Sequence, residues 1–122
     1  GLEELCAWCV DNQAAGGWSH NAPVGPGYVQ SGLMNHTSGP IVVALILARE
    51  CGVEVQEPLF SDALRFFYRF AGHTAVPYGD HRPEAWMSCN GKNGMLAAAL
   101  HLLPGDPYRS AGQYLAMDMA DS

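Results

Sequence analysis

Two polar stretches carry the side chains able to do chemistry. The first holds Asn35, His36 and Thr37; the second holds His73, Tyr78, Asp80, His81, Arg82, Glu84, Asn90, Lys92 and Asn93. An imidazole beside a carboxylate can be tuned across neutral pH. His81, oriented by Asp80 or Glu84 and with Tyr78 as donor, is therefore a candidate general acid/base group. The same Tyr78-Gly79-Asp80-His81 run reads as a plain turn, which accounts for Gly79 and Asp80 but not for His81 and Tyr78. Asn35, His36, His73, Asn90 and Lys92 are candidates for holding a polar or anionic group of a ligand. Trp18 and Trp86 offer flat faces to a sugar or another planar ligand, and offer equally good bulk for packing. Zinc takes N and S donors, so His36, His81 and Cys89, joined by His73, form an alternative metal set. Their spacing lacks both the helical i,i+4 pair and the short Cys spacing of zinc motifs, so no cofactor is expected. Asn90-Gly91-Lys92-Asn93-Gly94 is not a phosphate loop, because it lacks the preceding strand and the G-x-x-x-x-G-K-[ST] spacing. His101, within an apolar helix, reads as a satisfied core histidine and not as a ligand.

These residues sit in a small acidic chain. It has 122 residues, six Lys and Arg against twelve Asp and Glu, and a net charge of −6. Lys92 is the only lysine, so no basic stripe exists to neutralise a phosphate backbone, and a nucleic-acid partner is excluded. With 48% apolar residues the chain can bury a core and is not of the disordered class. The longest apolar run, Ile41 to Ala48, is far too short to span a bilayer. The first residues show neither a basic n-region nor an apolar h-region, which leaves export or cytoplasmic residence open. Cys6-x-x-Cys9 has no strand before it and no βαβ pattern around it. The four cysteines are therefore expected as reduced thiols.

Five helices must position the polar stretches. The first covers about 2–13, with Leu2, Leu5, Cys6, Cys9 and Val10 on one face. The second is predicted to open at Ser38 as N-cap with Pro40 in the first turn, and to stop at Gly52. It is apolar on nearly every side, which predicts burial all round. The third runs from about Pro58 to Phe70, with Leu59, Phe60, Ala63, Leu64, Phe67 and Phe70 as its apolar stripe. The fourth covers Asn93–Leu103 and stops at Pro104-Gly105; the fifth starts at Asp106-Pro107 and reaches about Ala120. Fourteen Gly and eight Pro concentrate in the loops between, above all in a long loop from Gly16 to about Thr37.

The two halves of the chain repeat. Gly39-Pro-Ile-Val-Val-Ala-Leu-Ile-Leu-Ala lines up with Gly94-Met-Leu-Ala-Ala-Ala-Leu-His-Leu-Leu, and each apolar helix leads through a turn to an amphipathic helix carrying Pro58 or Pro107. Helical hairpins of this period belong to arrays whose units cannot bury their own faces. The fold class is therefore all-α: helical hairpin repeats, about 32–72 and 88–120, forming part of an α/α toroid with inner apolar and outer amphipathic helices. Residues 1–122 read as a single helical domain and as a piece of a larger ring.

Asn35-His36-Thr37-Ser38-Gly39-Pro40, Val76-Pro77-Tyr78-Gly79-Asp80-His81-Arg82-Pro83 and Asn90-Gly91-Lys92-Asn93-Gly94 resemble the recurrent motifs of an uncharacterised bacterial family. That family is a domain of unknown function with a toroid-like helical fold, and the similarity runs from about Gly32 to the C-terminus. It implies a shape related to terpene cyclases, prenyltransferases and lanthionine cyclases, and no particular activity. The family continues with a Gly-His-Thr-Gly segment that this sequence lacks, in keeping with a partial ring. A weaker likeness to lanthionine cyclases, through Gly32-Leu-x-Asn-His and Ser88-Cys89-Asn-Gly, would make Cys89 a zinc ligand. The Cys-His pair that completes such a site is lacking.

The expected function is a cavity that binds a polar small molecule, a peptide or a glycan, with His/Asp acid-base chemistry if it is an enzyme. Two alternatives stand beside it. One is a non-catalytic helical-repeat module that binds another protein, a second copy or the rest of its parent chain. The other is a zinc-dependent, cyclase-like toroid.

Overall fold

A computed structural model describes residues 1–20, 32–70, 76–81, 92–103 and 105–120. They form helices α1 (Leu2–Asp11), α2 (Asn35–Glu50), α3 (Glu57–Tyr68), α4 (Lys92–Leu102) and α5 (Asp106–Ala120). The only β pairings among the described residues are isolated bridges, Ala14 with Gly17 and Met34 with Gly79. The all-α expectation is met.

α4 lies along α5, and α2 lies along α4; α1 and α3 touch α2 more lightly. At the α4/α5 contact, Gly112 lets the helices approach: a Cβ there would stand 2.9 Å from the Ala97 carbonyl oxygen. At the α2/α4 contact Gly39 does the same, with the Met95 side chain 2.8 Å from its would-be Cβ. One continuous core unites Val42, Leu45 and Ile46 of α2 with Leu59, Phe60, Phe66 and Phe67 of α3 and Leu96 and Leu100 of α4. Phe66, outside the predicted stripe, is among the most buried side chains because α3 is covered on a second flank by Gly16 and Gly17.

Three further expectations need correction. α2 is not buried all round: Pro40, Ala44 and Leu47 are exposed along one side, Leu47 by 50%. No described element covers that flank, and apolar content alone does not supply a neighbour. Ser38 is not the N-cap either, because α2 begins at Asn35 with Met34 as its cap residue. Pro40 therefore lies inside the helix, where it lacks the N–H that would bond the His36 carbonyl. His101 is exposed, not a core residue, although its Nδ1 is satisfied by the Ala97 carbonyl at 2.7 Å.

The early start of α2 has a tertiary cause. The first N–H groups of a helix lack partners within it, and here a distant turn provides them. The Tyr78 carbonyl accepts from the backbone N–H of both Asn35 and His36, at 3.0 and 3.2 Å. Ser38 serves another purpose: its hydroxyl accepts the Trp18 N–H at 2.9 Å, and the Trp18 carbonyl accepts the Met34 N–H at 2.8 Å. Segments around positions 18 and 78 are thus bound to the same helix end.

Candidate functional site

The 76–81 turn is the best-anchored irregular segment described. Val76 and Pro77 are fully buried. The Asn35 side chain, 1% exposed, donates both amide hydrogens back into the turn, to the Pro77 and Gly79 carbonyls, each at 2.9 Å. The Asp80 N–H reaches the Leu33 carbonyl at 3.2 Å. The Asp80 carboxylate takes the Arg69 guanidinium at 2.8 Å, and that guanidinium lies over the Phe66 ring at 4.5 Å. Backbone bonds, a buried amide and an ion pair at the end of α3 together fix the turn.

What the turn presents is Tyr78. Its ring stacks on His36 with planes 10° apart and centroids at 4.2 Å, and His20 packs on His36 at 4.5 Å. The Nε2 atoms of His20 and His36 both lie 3.5 Å from the Tyr78 hydroxyl. With the Tyr78 and His36 planes nearly parallel, their contact is a stack more than an in-plane hydrogen bond. A phenol and two imidazoles, the group types used for general acid/base chemistry, therefore share one spot at the N-terminus of α2. His20 was not singled out from the sequence. It stands in a Gly-rich loop, and only the Trp18–Ser38 bonding brings that loop to α2.

The remaining candidates divide by place. His81 folds onto its own turn, its Nε2 accepting the Gly79 N–H at 3.3 Å and its N–H meeting the Gly79 carbonyl at 2.9 Å. Asp80 is engaged by Arg69 as described. Trp18 is 1% exposed, and its indole N–H bonds the Cys9 carbonyl at 2.8 Å, so its ring is committed to the core and offers no face to a ligand. Asn35 likewise acts as a clamp; its Oδ1 is buried without a hydrogen-bond partner among the described residues. Lys92 is the first residue of α4, and its side chain is outside the description. His73, Glu84, Trp86, Cys89 and Asn90 lie outside the described residues. Among the described residues, no group of three or more His, Cys, Asp and Glu is placed to hold a metal ion.

A second polar cluster was overlooked in the sequence. Tyr108, at the start of α5, donates its hydroxyl to the Glu57 carboxylate and stands 3.1 Å from the Ser61 hydroxyl. Arg49 holds the other Glu57 oxygen at 3.0 Å. Burial, then the hydrogen bond to Glu57, pushes the Tyr108 phenol above its ordinary value. A hollow of about 540 Å³ opens beside it, lined by Glu57, Ser61, Leu64, Arg65, Tyr68 and Tyr108, with Pro107 at the edge. Glu57, Ser61 and Tyr68 recur at helical spacing along α3, but nothing local to them points to Tyr108, some fifty positions further along the chain.

The thiols fit the reduced reading where they are described. Cys6 and Cys9 are buried and free, Cys51 exposed and free. Burial, with the neighbouring Cys6, raises the Cys9 thiol above its usual value, which keeps it protonated and inert.

Fold and site together define a class: an all-α domain in which, among the described residues, a polar turn docks on the N-terminal end of α2 and brings histidine and tyrosine together there. The chain belongs to the family described as a domain of unknown function (DUF6288), whose family model matches residues 1–122. No curated protein and no solved structure matches it significantly. No helix among the described residues is long and apolar enough to cross a membrane.

Proposed function

We propose that the chain is part of an α/α toroid whose cavity binds a polar small molecule, peptide or glycan, with Tyr78, His36 and His20 as the groups that meet the ligand. The observation that carries this reading is the His20–His36–Tyr78 cluster on a turn held by buried bonds. Such support holds reactive groups in one geometry, as acid/base catalysis and selective binding both require. In this reading Tyr78 is the proton donor, the His20 imidazole accepts or returns the proton, and His36 holds the Tyr78 ring by stacking. Asp80, turned to Arg69, steadies the turn, and His81 stands beside it as a further acid/base group. An NMR-monitored metabolite screen tests the reading. A ligand that shifts the His36 and Tyr78 ring signals, and loses affinity in Tyr78→Phe and His36→Ala, supports it. Binding that ignores both substitutions overturns it.

A specific observation favours a second reading, the non-catalytic helical module. Leu47 of α2 and Leu102 of α4, both on the apolar helices, are about half exposed. In a toroid, inner helices lie side by side as α2 and α4 do, and a further inner helix of the parent chain or of a second copy would cover them. Light scattering on the purified chain distinguishes the cases: a concentration-dependent dimer abolished by Leu47→Glu supports the module, and a monomer at all concentrations argues against self-association.

A further inference from the structure

The hollow beside Tyr108 has a smaller neighbour. A depression of about 350 Å³ is lined by Gln13, Ala15, Gly16, Asp62 and Arg65, and both depressions include Arg65. They flank the Arg65 side chain on the outer surface of α3, so that α3 carries two adjoining concavities with one guanidinium between them.

The chemistry of the lining narrows what fits. Each charge at the site already has its opposite: Glu57 is paired with Arg49 at 3.0 Å, and Arg65 with Asp62 at 3.3 Å. The two pairs sum to zero charge, so the site has no net field to draw in an ionic ligand in preference to a neutral one. The larger hollow contains two hydroxyls and a carboxylate in one chain. Because Tyr108 donates to Glu57, its oxygen is left to accept from Ser61, and the lone pairs of Ser61 and Glu57 remain as acceptors for hydroxyl groups. Tyr68, half exposed, and Pro107 add apolar surface to the lining. An aromatic face beside clustered acceptors and a guanidinium suits a ring with one apolar face and an edge of hydroxyls.

We propose that the outer surface of α3 is a binding trough for an uncharged glycan chain, one sugar ring stacking on Tyr68 beside Tyr108 and a second occupying the depression beyond Arg65. This site is distinct from the Tyr78 cluster and does not rest on it. Glu57 and Ser61 accept from the hydroxyls of the first ring, Arg65 donates to oxygens at the junction, and Gln13 and the 13–16 backbone border the second ring.

Calorimetric titration tests this with defined probes: a β-1,4-glucan pentamer, an α-1,4-glucan pentamer, a chitin pentamer, the monomer of each, and an acidic oligogalacturonide. At least one neutral pentamer is expected to bind about tenfold or more tighter than its monomer, because two adjoining subsites are filled at once. Tyr68→Ala, at a position exposed enough to leave folding intact, should abolish measurable binding, and Arg65→Ala should remove the advantage of pentamer over monomer. Tyrosine ring signals should shift at Tyr68 and Tyr108. The proposal fails if no neutral pentamer saturates by about 10 mM, if only the acidic oligomer binds, or if Tyr68→Ala with an unchanged melting temperature binds as tightly as the parent. Signal shifts confined to His36 and Tyr78 would also overturn it, by assigning the glycan to the other site.

Discussion

Both polar centres are built on a tyrosine hydroxyl, but they are assembled in opposite ways. Tyr78 stands on a turn that makes almost all its bonds through backbone groups and one buried amide, to residues far away in sequence. Tyr108 stands on a helix, and side chains spaced along another helix meet it: Glu57 and Ser61 one turn apart, with Arg49 behind them. The first arrangement fixes its tyrosine rigidly and leaves the ring to stack on imidazoles. The second lets side chains adjust around a hollow. A rigid presentation suits selective contact or proton transfer, and an adjustable trough suits a repetitive polymer.

Substitutions can break this contrast, and Gly16→Ala should do most damage. A Cβ there would stand 2.1 Å from the Asp62 carbonyl oxygen, at a φ of +87° that favours glycine. Overpacking and left-handed strain together should cost about 3–4 kcal/mol in urea unfolding, and should distort the α3 trough before the Tyr78 turn. Asn35→Ala comes next and acts on the other centre. Removing a donor pair from two buried carbonyls should cost about 2–3 kcal/mol, and should release Tyr78 from His36 while Tyr108 keeps its signals. Calorimetric or urea unfolding combined with tyrosine NMR checks both halves of that expectation.

Tyr108→Phe is milder, about 1 kcal/mol at neutral pH, the worth of an ordinary hydrogen bond. Its signature lies in alkali. The folded phenol titrates above its ordinary value of 10.0, so the unfolded chain ionises first as pH rises. The stabilisation is complete below about pH 10 and is lost as pH climbs through the raised value. The parent protein should lose stability across that range and Tyr108→Phe should lose less; parallel curves would show that burial and Glu57 do not hold the phenol protonated. Thiol labelling reads accessibility and not stability. Cys51 should be alkylated in the native protein, while Cys6 and Cys9 react only on unfolding, as peptide mass spectrometry will show.

Helical periodicity made most of the elements readable. α1, α3, α4 and α5 lie within a few residues of where apolar spacing, Pro58, Pro107 and Gly105 place them, because each is specified by its own residues. α2 was readable in kind but not at its start. Its local signals, Ser38 and Pro40, describe a good helix opening, yet the Tyr78 carbonyl satisfies the first N–H groups and moves the opening back to Asn35. Trp18 shows the same limit from the other side. Its type suits a ligand face as well as a core, and only its position under α2 decides for the core.

The sequence by itself determined the all-α class, the five helices of the described residues and the net charge of −6. Each of these depends on composition or on neighbours a few positions away along the chain. Tertiary structure alone decided that His20 joins His36 and Tyr78, that Asp80 turns to Arg69, and that Glu57, Ser61 and Tyr108 face one hollow. Those groupings join residues separated by tens of positions, and they depend on which carbonyls and which helix ends the folded chain brings within hydrogen-bonding reach.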